Sequence, residues 1–188
     1  MDNTGLDAFA YSLARIDWDV FGTLTFRSVP SLKVSYGRAW SFFGLVSKAV
    51  QRPYSGLLIA LREERGEIGG RFHFHFLLGG TGSRNRVTLS HQCEKLWAKV
   101  HGQGAIARCR QYDAALRGVP YVTKCLSGGG LSLGANRYEV RKFDSADTLT
   151  LSRSVLRVIR SHDRMGLDGS RGTCEKMAAA EIGGGSAG

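Results

Sequence analysis

Two histidines separated by one phenylalanine, His73-Phe74-His75, are the side chains of this 188-residue sequence whose types and spacing point most directly to chemistry. They stand in Arg71-Phe72-His73-Phe74-His75-Phe76-Leu77-Leu78, a strict alternation. In an extended strand alternate side chains leave opposite faces, so Phe72, Phe74 and Phe76 bury one face while both imidazoles project from the other. Two neighbouring imidazoles are half of a divalent metal site, each offering a ring nitrogen to the same ion. A third ligand is wanted, and Glu63-Glu64 closes the apolar run Gly56-Leu57-Leu58-Ile59-Ala60-Leu61 just upstream. If the two segments pair as a hairpin, a carboxylate reaches across the ladder. Glu63 and Glu64 point to opposite faces, so only one of them can do so. Tyr121 and Lys124, three residues apart, share a face if their segment is helical. A phenol with a pKa of about 10 becomes a useful nucleophile when a metal, a cation or a polarised electrophile assists it.

The elements that must position these groups follow from periodicity. Val20 to Arg27 reads as a first strand, with Phe21, Thr23 and Thr25 alternating against Gly22, Leu24 and Phe26. Tyr36, Trp40, Phe43, Val46 or Ser47, and Val50 then recur at helical spacing. Gly56 to Glu64 and Arg71 to Leu78 form the second and third strands, joined by the glycine-bearing Arg65-Gly66-Glu67-Ile68-Gly69-Gly70 as an antiparallel hairpin. Leu89, Cys93, Leu96, Trp97 and Val100 mark a second helix, capped by Thr88 or Ser90 and closed by Gly102. Ala105 to Arg110 alternates again as a fourth strand with Arg108 and Arg110 on one face. Asp113 to Ser127 is helix-like but broken at Gly118-Val119-Pro120, where Pro120 suits the first turn of a short helix carrying Tyr121. Arg137 to Phe143 is a short extra strand, and Leu149 to Met165 a last helix stopped by Gly166. The resulting β-α-β-β-α-β-α order predicts an α+β domain, a mostly antiparallel central sheet with flanking helices over residues 18–166. Residues 1–17 read as a lead-in and the glycine-rich 167–188 as a flexible tail.

Composition narrows the class. The 26 Lys and Arg against 16 Asp and Glu give a formal net charge of +10, with a surplus that begins after residue 50 and no basic tail. Such charge suits a folded surface that holds a polyanion. Arg153, Arg157, Arg160 and Arg164 make a stripe on the last helix that can track phosphates. At 43% hydrophobic residues the chain carries a core, which excludes wholesale disorder. No apolar run approaches a membrane span, no signal-peptide plan opens the chain, and an intracellular protein is expected. Cys93, Cys109, Cys125 and Cys174 lack a CxxC pair and read as reduced, mostly buried thiols.

In order along the chain, Phe21-Gly22-Thr23-Leu24-Thr25-Phe26, His73-Phe74-His75 and Tyr121-Val122-Thr123-Lys124 resemble the three motifs of single-tyrosine HUH endonucleases, the nicking domains of rolling-circle replication initiator (Rep) proteins. The resemblance spans about residues 18 to 127. It implies a sheet holding Mg²⁺ or Mn²⁺ through His73, His75 and a carboxylate nine residues before the first histidine, the position of Glu64, with Glu63 as the alternative. It further implies that Tyr121 attacks a phosphate of single-stranded DNA at an origin stem-loop, leaving a 3′-hydroxyl and a 5′-phosphotyrosine, with Lys124 assisting. Thr23, Thr25, Arg108, Arg110 and the arginine stripe are then candidate DNA contacts. No second tyrosine stands three or four residues from Tyr121, and no GxxxxGK[ST] loop occurs. The sequence therefore reads either as a compact plasmid-type initiator or as a nicking domain cut from a longer protein, with a helicase or host replication proteins as candidate partners in trans, in a prokaryotic cytoplasm or a host nucleus. Transposase or relaxase strand transfer shares the chemistry, while a non-catalytic RRM-like domain would need base-stacking aromatics where this chain places histidines. A β-barrel metal enzyme built on HxH and a following Glu is excluded by the distance to Glu94.

Overall fold

The structure, a computed structural model, describes residues 10–26, 31–65, 72–101, 105–123, 131–133, 139–142 and 148–162. Helical residues 10–14 (α1) lead into β1 (Trp18–Thr25), α2 (Leu32–Ala49), β2 (Leu58–Arg65), β3 (Phe72–Gly79), α3 (Arg86–His101), β4 (Ile106–Gln111) and α4 (Gly118–Thr123). Three short strands follow, β5 (Leu131–Leu133), β6 (Glu139–Lys142) and β7 (Thr148–Leu151), and then helical residues 153–162 (α5). All seven strands join one antiparallel sheet in the order β4-β1-β3-β2-β7-β6-β5. The fold is α+β: five strands from β4 to β7 form the body, and the β5–β6 hairpin extends one edge.

Strand alternation divides the interior into two cores. On one face Leu24, Phe74, Phe76, Leu78, Ile59 and Leu61 pack with Phe42, Phe43 and Val46 of α2 and with Leu89, Cys93 and Trp97 of α3, nearly all of them wholly buried. Phe76 meets Phe42 and Phe43 with ring centroids 5.8 and 5.5 Å apart, edge-on as aromatic pairs prefer. On the other face Ala60, Leu77, Leu149 and Leu151 are covered by Leu13, Val119, Val122, Val155 and Ile159. These second-face helices cover the end of β3 that carries Leu77, and Tyr121 of α4 reaches on over His75, while His73 and Glu64 beyond it stay about one-fifth exposed. A break in register between Trp18 and Val20 sends these two side chains to different cores, as a bulge does. Asp19, at that break, turns its buried carboxylate to the Thr81 amide and hydroxyl at 3.0 and 2.7 Å and to Arg86 Nε at 3.0 Å.

Two expectations are corrected. Residues 148–151 are a strand rather than the start of the last helix: Thr148-Leu149-Thr150-Leu151 alternates, and both leucines point into the second core when β7 pairs with β2. The α3 helix starts earlier than its apolar pattern, because Asn85 Oδ1 accepts from the Thr88 amide at 2.9 Å; the cap is Asn85, not Thr88 or Ser90. The helix-like stretch after Asp113 resolves into a 3-10 turn, Ala114–Leu116, and the separate α4. The hairpin loop 66–70, Gly102, Gly166 and the tail 167–188 lie outside the described residues.

Candidate metal centre

Register builds the site. The β2–β3 ladder places Glu64 opposite His73 and Arg62 opposite His75, while β1 on the other side sets Thr25 opposite His73 and Thr23 opposite His75. Alternation therefore brings Glu64, both histidines, Arg62 and both threonines to one face. Glu63 falls on the other, where its Oε2 accepts from the Tyr36 hydroxyl at 3.2 Å. Glu64 Oε2 lies 2.9 Å from His75 Nε2 and 3.6 Å from His73 Nε2, and one ligand atom from each of the three residues falls within 4.8 Å of the others. Glu64 Oε2 and His75 Nε2 are sealed from solvent and aimed at each other. Two imidazole nitrogens and a carboxylate oxygen so gathered are a donor set that can hold a metal ion.

Orientation and charge favour the same use. His75 Nδ1 lies 3.0 Å from Thr23 Oγ1, a contact that fixes the ring and presents Nε2 to Glu64. Burial pushes the His75 imidazole down to about 4, with His73 and Arg62 adding to the fall and Glu64 opposing it. At neutral pH this ring is neutral, the state in which it donates a lone pair to a metal. Arg62, only 2% exposed, sits beneath the site with Nη1 3.5 Å from Glu64 Oε2.

Tyr121 belongs to the same face. It lies on the short helix α4, which approaches the sheet closely: a Cβ at Gly118 would stand 2.9 Å from the Tyr112 ring and 3.3 Å from that of Phe21. The Tyr121 ring is 4.8 Å from the His75 ring, nearly perpendicular to it, and 6.0 Å from Phe21. At 38% exposure it remains open to a partner in solution.

Among the other residues singled out from the sequence, Arg108 and Arg110 are exposed on the edge strand β4, opposite Thr23 and Phe21, so they border the site face. The Arg110 guanidinium lies over the Phe21 ring at 5.0 Å. Arg153, Arg157 and Arg160 are exposed on α5, but Arg157 donates to the Ser55 carbonyl at 3.2 Å, at the end of β2 away from Glu64. Lys124 and Arg164 lie outside the described residues. Sequence reasoning missed Arg62, although it stands two residues before Glu64 and shares its face by parity. Thr23, a candidate DNA contact in the sequence, has its hydroxyl 3.0 Å from His75 Nδ1, a contact that sequence reasoning also missed. Compared with protein-family models, curated proteins and solved structures, the chain gives no match. No helix among the described residues is long and apolar enough to cross a membrane.

Proposed function

We propose that this domain cuts and rejoins single-stranded DNA through a 5′-phosphotyrosine on Tyr121, in the manner of a replication-initiator nicking domain. The observation that carries this reading is one sheet face that gathers Glu64, His73 and His75 beside a part-exposed tyrosine ring 4.8 Å from His75. A divalent cation held by these three ligands supplies Lewis-acid polarisation of a phosphate oxygen. The chain's own part is positioning. Thr23 orients His75, α4 presents Tyr121, and Arg108 and Arg110 offer charge to flanking phosphates along the edge of the same face. In the step itself Tyr121 Oη bonds to phosphorus as its proton passes to water, the bond from phosphorus to the 3′ oxygen breaks, and that oxygen leaves to become a hydroxyl. Attack by a later 3′-hydroxyl reverses the step and frees the tyrosine, so no ATP is consumed. Lys124, from the resemblance alone, would assist at the phosphate. Of Mg²⁺ and Mn²⁺, the two imidazole donors suit Mn²⁺ better, because Mg²⁺ prefers oxygen ligands. A replication origin is the proposed target.

The test is incubation with labelled single-stranded stem-loop libraries and Mn²⁺, followed by denaturing electrophoresis. A covalent adduct is expected that disappears with EDTA and in Tyr121→Phe. An adduct that survives in Tyr121→Phe removes the tyrosine from its role, and one indifferent to EDTA removes the metal.

A further inference from the structure

Arg62 is a fully charged side chain at the centre of the sheet, on a strand flanked by β3 and β7, and it is buried too deeply to touch a substrate. A buried guanidinium is costly unless several acceptors hold it. Its Nη1 donates to the Tyr121 backbone carbonyl at 2.9 Å and stands 3.5 Å from Glu64 Oε2, while Cζ lies 5.7 Å from the centre of the Tyr121 ring. One nitrogen thus bridges the helix that carries the tyrosine and the carboxylate of the metal centre. The tyrosine carbonyl belongs to the last turn of a six-residue helix, where carbonyls lack intrahelical partners and a cation is favourable. A helix this short has little stability of its own, so its placement depends on such tethers.

We propose that Arg62 is a positioning residue that clamps α4, and with it Tyr121, against the metal-ligand carboxylate; its effect on reaction rate rests on the nicking reading, whereas the clamp itself does not. The rigid guanidinium holds Nη1 in a fixed place between carbonyl and carboxylate, whereas a lysine ammonium on its flexible stem does not reproduce that placement.

The unaltered chain is compared with Arg62→Met and Arg62→Lys by hydrogen exchange of individual amides, by affinity for a short single-stranded oligonucleotide, and by the rate of adduct formation at saturating DNA and Mn²⁺. In both variants the α4 amides should exchange roughly tenfold faster while β1 and β3 amides keep their protection. DNA affinity should stay within about twofold, and the adduct rate should fall by roughly 10- to 100-fold. Unchanged α4 protection or an unchanged rate in a folded variant overturns the inference, and so does a loss of protection spread evenly over the sheet, which marks a general stabilising role. If Arg62→Met does not fold, Arg62→Lys carries the comparison. If the unaltered chain forms no adduct, the nicking reading fails by itself and the exchange data still decide the clamp.

Discussion

At the scale of residues, the choice between Glu63 and Glu64 is a matter of strand parity. Glu64 faces His73 across the ladder and contributes the carboxylate oxygen 2.9 Å from His75 Nε2, while Glu63 is turned to Tyr36 in the opposite core. Replacing Glu64 by Gln keeps the shape but removes the anionic ligand. Mn²⁺ affinity, read by electron paramagnetic resonance titration, should fall by at least about 10- to 100-fold, the range found when ligand-shell contacts are lost. Glu63→Gln retains an acceptor for the Tyr36 hydroxyl and should leave Mn²⁺ affinity unchanged. Equal losses in the two variants would mean that the carboxylates act through the general field of the protein and not as a ligand and a core residue. The histidine pair and the two candidate carboxylates were legible because period-two alternation is a local property. Thr23 against His75 was not, since their contact needs the β1–β3 register, which joins residues 52 apart in sequence.

Among the elements, β1 and β3 carry the greatest demand because they lie side by side in the body of the sheet and each feeds both faces. Gly22 shows how tightly the far face is filled. A Cβ there would overlap the Phe76 ring and come within 3.0 Å of Cys109 Sγ, and Phe76 is already fixed between Phe42 and Phe43. Gly22→Ala should therefore cost about 1–3 kcal/mol, seen as a lower urea midpoint at unchanged slope. An unchanged midpoint would show that the ring yields at no cost. The same packing explains which elements could be read in advance. The β2–β3 hairpin and α2 have long, regular apolar patterns, so their type and pairing follow from periodicity alone. β7 did not declare itself because four alternating residues run directly into the helical spacing of Val155 and Ile159, and only pairing with β2 separates the strand from α5. The start of α3 was hidden for a related reason: Asn85 lies in a polar loop, and its cap is a single hydrogen bond outside the apolar pattern.

For the molecule as a whole, a net charge of +10 acquires meaning only through its placement. Arg108 and Arg110 border the site face on β4, whereas Arg157 of α5 is bonded to Ser55, before β2 begins. The six steps along β2 from Leu58 to Glu64 put the end of the strand where Arg157 is held on the order of 20 Å from the metal centre, at about 3.3 Å per step. A short strand seated at Tyr121 therefore meets the β4 arginines first. With an oligonucleotide of roughly eight nucleotides, each arginine that neutralises a phosphate contributes about 0.7 to the slope of log affinity against log salt. Arg108→Gln combined with Arg110→Gln should reduce that slope by about 1.4, while Arg153→Gln combined with Arg160→Gln should leave it unchanged. A longer strand that extends beyond the site would begin to feel the α5 pair as well, so the slope lost in the α5 variant should grow with oligonucleotide length. If the short oligonucleotide responds to α5 and not to β4, the bound strand does not cross the metal face, and the charge serves a surface remote from Tyr121.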